Sequence, residues 1–244
     1  MLYKEYFKKI YSIMGEVEKT QAKHIEDAAK LIADSVEAGG ILHVFGCGHS
    51  QMYAMEVFYR AGGLVTVNAI LTPALSLEPK ARLSSFGERV PGMAKEILDC
   101  ERINEGDVLF IASTSARNNV PVEMAMEAKK RGMKVIVLIS SAFANCVPSR
   151  HVSGKKAHEF ADVVLDNCGQ PGDALMSAEG VAAKFGPSSS VVGFAILQAV
   201  IVQTIDNLAK RKFDVPVWTS ANMEGGDDLN KKHFEKYSKI IPSL

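Results

Sequence analysis

The sequence has no surplus of charge. Its 244 residues include 28 Lys+Arg and 28 Asp+Glu, so the formal net charge is zero. A surface built for nucleic acid carries a basic excess, so no nucleic-acid partner is expected. Cysteine is scarce. Cys47, Cys100, Cys146 and Cys168 stand far apart, with no CxxC pair. That spacing indicates neither a disulfide framework nor a zinc ribbon, and no metal or other cofactor is expected. No apolar run reaches about eighteen residues unbroken, so no membrane span is expected. The nearest, "SSSVVGFAILQAVIVQTIDN", is interrupted by Gln198, Gln203 and Asp206. No signal peptide, internal repeat or low-complexity tract is recognised, and a cytoplasmic location is expected.

What is there is ordinary for a chain with a real core: 47% apolar and 23% charged residues. Apolar positions at helical spacing fill residues 2–37, and Gly39-Gly40 closes that region as a C-cap would. Five short runs follow, at 41–46, 64–70, 107–113, 134–140 and 161–167. They are rich in Val, Ile and Leu with little alternation, which is how strands buried on both faces of a parallel sheet read. Helical patterns at about 50–61, 92–100, 118–131 and 188–211 complete βαβ units. The fold class is therefore α/β, a doubly wound five-stranded parallel sheet with a long N-terminal helix. Residues 71–91 carry three prolines and no clear period, and read as a long loop. Residues 1–211 form the domain. Residues 212–244 form a polar C-terminal extension with a short helix capped by Asp227 or Asp228.

Chemistry points to "GCGHS", residues 46–50, at the end of the first run. A dinucleotide fingerprint needs a third glycine where Gln51 stands, and a P-loop needs a lysine that is absent. A short turn with free backbone N–H groups and the Ser50 hydroxyl remains. It suits one compact anion such as a phosphomonoester, or Ser50 simply caps the helix. A second turn repeats the design: Ser113, Thr114 and Ser115 end the third run, followed by Arg117, Asn118 and a helix with Pro121 in its first turn. Three hydroxyls exceed what one cap needs. Arg117 could grip a phosphate as a bidentate fork or stand as an exposed loop arginine. A third cluster, Ser188, Ser189 and Ser190, opens the apolar helix 190–209.

GxGxS after the first strand, then a Ser/Thr-rich turn after a later parallel strand, resembles the SIS (sugar isomerase) domain family over roughly residues 1–211. Its nearest branches look like phosphoheptose isomerase and N-acetylmuramic acid 6-phosphate etherase. The elements "EVFYRAGG" and "NMEGGDDLN" are similar to a further bacterial branch. The resemblance implies a flavodoxin-like sheet, a phosphosugar ligand and a homodimer or homotetramer. It implies that Gly46, Cys47, Gly48, His49 and Ser50, with Ser113, Thr114 and Ser115, carry the ligand. Ala116 stands where the family pattern has glycine. The activity implied first is sugar-phosphate isomerisation. The alternatives are a non-catalytic phosphosugar sensor, or an etherase or lyase acting on an amino-sugar phosphate.

Isomerisation needs a base beside a carbonyl and a donor for the enediolate. In several SIS enzymes the base is a glutamate ten residues after the GxGxS serine. Here that position is Arg60. Glu56, one turn earlier, either replaces it or pairs with Arg60 on an exposed helix. Glu179, before the third serine cluster, is a second carboxylate candidate, and His49 is a candidate for proton transfer. The tail segment "SANMEGGDDLN" could close a neighbouring subunit's site or be a solvated tail.

Overall fold

The computed structural model describes residues 1–241 and 243–244. Helix α1 (Leu2–Glu37) is a single rod, about 54 Å long at 1.5 Å per residue. It ends in a Schellman motif: Gly39, at φ +90°, donates to the Val36 carbonyl at 3.0 Å, and Gly40 donates to the Ser35 carbonyl at 2.8 Å.

Then come β1 (Leu42–Gly46), α2 (Met52–Val57), β2 (Val67–Ile70), α3 (Ala81–Gly87), α4 (Met93–Asp99) and β3 (Val108–Ala112). They are followed by α5 (Asn119–Lys130), β4 (Lys134–Ile139), α6 (Ser141–Cys146), β5 (Val163–Asp166), α7 (Ser189–Lys210) and α8 (Gly226–Tyr237). The five strands form one all-parallel sheet in the order β2-β1-β3-β4-β5. This is the flavodoxin-like order, whose topological switch point lies between β1 and β3.

Both sheet faces are covered, which is why the strand sequences run apolar without alternating. Leu42, Val44, Val108, Phe110, Ile136 and Leu138 pack with Ala28 and Ile32 of α1 and with Ile196 and Val200 of α7. Phe45, Leu109, Ile111, Val135 and Val137 pack with Leu98 of α4 and Val122 and Met124 of α5. Each such large side chain contributes about 1.5–3 kcal/mol by leaving water. Among the described residues α7 is the one helix long and apolar enough to cross a membrane. It lies along α1, with Val192, Ile196, Leu197, Val200 and Ile201 buried in the core.

Three sequence expectations are corrected. The helix expected at 50–61 is a 3-10 turn (Gly48–Gln51) followed by the short α2. It stops at Phe58, whose ψ of 133° is extended, and Tyr59 turns left-handed at φ +45°. Tyr59 meets Trp218 edge-on at 5.0 Å and Phe234 at 5.5 Å, so packing against the C-terminal segment ends the helix. The stretch 71–91 is not a plain loop. It holds a 3-10 turn (Pro73–Leu75) and α3, joined by the Ser84 hydroxyl donating to the Leu75 carbonyl at 2.8 Å. Helix α8 is capped by Gly225, at φ +73°, while Asp227 and Asp228 sit inside its first turn. There they complement the helix dipole.

Val217 bridges Leu64 antiparallel, and Trp218, Tyr237 and Ile241 are buried with Ile41 and Val65.

Candidate functional site

The two turns singled out in the sequence follow β1 and β3, the strands flanking the switch point. Between them opens a cleft of about 320 Å³. Cys47, His49, Ser50 and Tyr53 form one wall, Thr114 and Phe143 another, and Asp173, Pro187, Ser189 and Ser190 the third. A larger hollow of about 710 Å³ lies beside Met55, Leu71 and Pro79. It holds none of the strand-end hydroxyls, and the smaller cleft is where the α/β architecture concentrates polar groups.

The first turn is built by its glycines. A Cβ on Gly46 would overlap the Ser50 backbone carbonyl, because the chain folds straight back over the strand end. Gly48 takes the left-handed φ of +58° that glycine adopts freely. Ser50 makes no capping bond, and neither its hydroxyl nor the exposed His49 ring has a hydrogen-bond partner among the described residues. Cys47 is half-buried in the cleft wall, and its desolvation, with Glu88 nearby, pushes its thiol well above the ordinary range. It is a packed thiol with no thiolate character.

The second turn has the same shape by other means. Its N–H groups at Ser113 and Ala116 are used, donating to the Leu138 and Ser113 carbonyls. The side-chain hydroxyls of Ser113, Thr114 and Ser115 bond to no protein group among the described residues. Ala116 is fully buried at φ +52°. A left-handed alanine costs roughly 1–2 kcal/mol, which a glycine there would avoid. The Asn118 side chain accepts from Arg150 Nη1 at 2.8 Å rather than capping α5. Arg117 is half-buried on the same turn.

The third serine cluster is differently employed. Asp173 Oδ1 accepts from the Ser188 N–H at 2.9 Å, the Ser188 hydroxyl at 3.1 Å and the Ser189 N–H at 2.9 Å, and Oδ2 accepts from the Ser189 hydroxyl at 2.5 Å. A carboxylate thus occupies the N-terminus of α7, where the helix dipole favours negative charge. Of this cluster only Ser189 and Ser190 line the cleft. Tyr53 donates to the Ser189 carbonyl at 2.7 Å and packs over Gly193, where any Cβ would strike its ring. Burial first, and then the Asp173 charge, push the Tyr53 phenol above its ordinary value.

His49 lines the cleft; Glu56 and Glu179 do not. Glu56 accepts from Gln198 Nε2 at 3.1 Å and from Arg60 at 3.4 Å. Arg60 lies beyond the end of α2, so the two residues do not share a helix face as their spacing suggests. Glu179 is exposed on the turn of the hairpin closed by the Met176–Phe185 bridge. Asp173, Tyr53 and Phe143 escaped the sequence reading. Tyr53 follows Ser50 by three positions and could have been found from helical spacing. Asp173 sits in an aperiodic Gly-Pro loop fifteen residues before Ser188, and only folding brings them together.

Residues 5–140 match the SIS domain family. Over 239 residues the chain is 42% identical to a UPF0309 protein of Geobacillus sp. (strain WCH70), covering 98% of this chain and 97% of that one. The fold is similar to a phosphoheptose isomerase from Neisseria gonorrhoeae, with a TM-score of 0.56 at 19% identity over 86% of this chain and 100% of that one. It is also similar to a phosphoheptose isomerase from Francisella tularensis, with a TM-score of 0.55 at 18% identity over 83% and 95% of the two chains. At such identities these two likenesses bear on the fold.

Proposed function

Because the chain belongs to the SIS domain family, and to the UPF0309 group by likeness along its whole length, we propose that it binds a phosphosugar in the cleft between the β1 and β3 turns. One observation carries this reading. Ser50 and Thr114 line the cleft at the switch point, Ser113 and Ser115 flank Thr114 on its turn, and none of the four hydroxyls has a protein partner among the described residues. A phosphomonoester accepts from such hydroxyls, and the α5 N-terminus adds a favourable dipole. The sugar then extends toward His49, Tyr53 and Asp173.

The chemistry this supports is proton transfer beside a carbonyl, the central step of aldose–ketose isomerisation. His49 is the lining group free to carry the proton. Tyr53, kept protonated, is engaged with Ser189, and Cys47 is kept protonated by desolvation. A second reading, a phosphosugar sensor without turnover, is favoured by one fact: the carboxylate in the cleft, Asp173, is committed to α7, and Glu56 lies outside the lining.

The test joins calorimetry to solvent-deuterium incorporation over a panel of aldose and ketose phosphates. Isomerisation requires binding together with exchange at the carbon beside the carbonyl, falling roughly a hundredfold or more in His49→Gln. Binding without exchange establishes the sensor reading. Absence of binding across the panel removes both.

A further inference from the structure

Beside the proposed phosphate seat, three arginines converge on the first turn of α5. Arg117 leads into that turn. Arg89 is tied to it through its carbonyl, which accepts from Asn119 Nδ2 at 2.7 Å. Arg150 is tied twice: its backbone N–H donates to the Arg117 carbonyl at 2.8 Å, and its Nη1 donates to Asn118 Oδ1 at 2.8 Å. Among the described residues none of the three enters an ion pair. Arg117 Nε is buried with no hydrogen-bond partner.

The charges are not balanced locally. Arg150 is held below its ordinary value by burial and by repulsion from Arg117 and Arg89. The nearby carboxyl is Glu88, at the end of α3, and burial pushes it above the ordinary carboxylate value. Arg89 and Arg150 both draw on it, and one carboxyl does not balance three guanidiniums. A monophosphate does not account for them either, since the two turns already offer it neutral donors.

We propose that Arg89, Arg117 and Arg150 seat a second anionic group of the ligand, so that the substrate class is a sugar carrying one phosphate and a further phosphate or carboxylate. The inference rests on the phosphosugar reading above. Guanidinium forks match both oxyanions in bidentate geometry. None of the three lines the cleft itself; Arg117 follows the cleft residue Thr114 by three positions in one turn, and Arg150 is bonded to that turn at the Arg117 carbonyl and the Asn118 side chain.

The experiment titrates glucose 6-phosphate, 6-phosphogluconate and fructose 1,6-bisphosphate by calorimetry into three proteins: unmodified, Arg89→Gln/Arg150→Gln, and Ser113→Ala/Ser115→Ala. The doubly anionic ligands should bind the unmodified protein about tenfold or more tightly than glucose 6-phosphate. The phosphogluconate leads if the second group is a carboxylate, the bisphosphate if it is a phosphate. The arginine double variant should erase that advantage and leave glucose 6-phosphate unchanged. Equal affinities in the unmodified protein, or an advantage surviving the arginine variant, overturn the proposal. The phosphate-seat reading fails separately: the serine variant then leaves glucose 6-phosphate binding unchanged, while an arginine-dependent advantage still supports the second subsite. No binding by any of the three overturns both.

Discussion

Two polar clusters sit at opposite ends of the same sheet. At the amino ends of the strands, Asp107 and His43 are fully buried. Asp107 accepts from the Ile41 N–H at 2.9 Å, the Asn104 N–H at 2.7 Å and His43 Nε2 at 3.4 Å. The other imidazole nitrogen, Nδ1, faces Asn68 Nδ2 at 3.1 Å, which fixes the tautomer with its proton on Nε2. Asn68 also reaches Glu101 at 2.8 Å, and its carbonyl accepts from Ser243 at 2.6 Å. At the carboxyl ends, four hydroxyls on two turns reach no protein group among the described residues. The first cluster is a closed chain that holds the fold. The second leaves donors and acceptors for something else. Residue type does not separate the two clusters; the state of their hydrogen bonds does.

The contrast can be broken most directly at Asp107. Asp107→Ala orphans two buried backbone N–H groups and an imidazole, and should cost about 3–5 kcal/mol in urea unfolding. Burial opposes the Asp107 charge, but bonds from His43, Asn104 and Ile41 outweigh it and hold the carboxyl below its ordinary value. Its contribution is therefore full above the unfolded value, near 3.9, and is lost as pH falls through the lower folded one. An Asp107→Asn protein should lose less stability on acidification over that window. Equal acid slopes in the two proteins would show that Asp107 is not part of the lock.

Asp173 is the exception at the open end, since it is both a cleft wall and a helix cap. Asp173→Ala should lower stability by about 1–2 kcal/mol, measured by thermal melting. The open turns should behave in the opposite way. Ser113→Ala/Ser115→Ala should shift stability by under about 0.5 kcal/mol and weaken phosphosugar binding about tenfold or more. A large melting change there would mean that those hydroxyls serve the fold. The smallest effect is expected at Glu56. Glu56→Gln should cost under about 0.5 kcal/mol and leave phosphosugar affinity unchanged. A lost affinity would place Glu56 in the cleft after all.

The strands were legible because burial on both faces demands unbroken aliphatic runs, and all five runs became strands. The glycine turn was legible for a similar reason, since Gly46 leaves no room for another residue. The end of α2 was not legible. Tyr59 leaves helical geometry to pack on Trp218, far along the chain, and no local pattern announces that. The same holds for Asp173 and for the Arg89, Arg117 and Arg150 cluster. Each lies in aperiodic chain, and its meaning comes from neighbours that only tertiary structure supplies. The hydroxyl turns stand between these cases. Their place at strand ends could be read, whereas the freedom of their side chains from protein partners could not.

The Ser243–Asn68 bond has a consequence for how the chain is made. It joins residues 175 positions apart. Synthesis runs from the amino end, so β1, β2 and the residues of the cleft exist long before the hydroxyl that completes the buried chain at the opposite end. The nascent protein must carry His43 and Asn68 with that chain unfinished until Ser243 is made. The cleft has all its walls once Ser190 is made, and the seal on the far side of the sheet follows only when Ser243 is added.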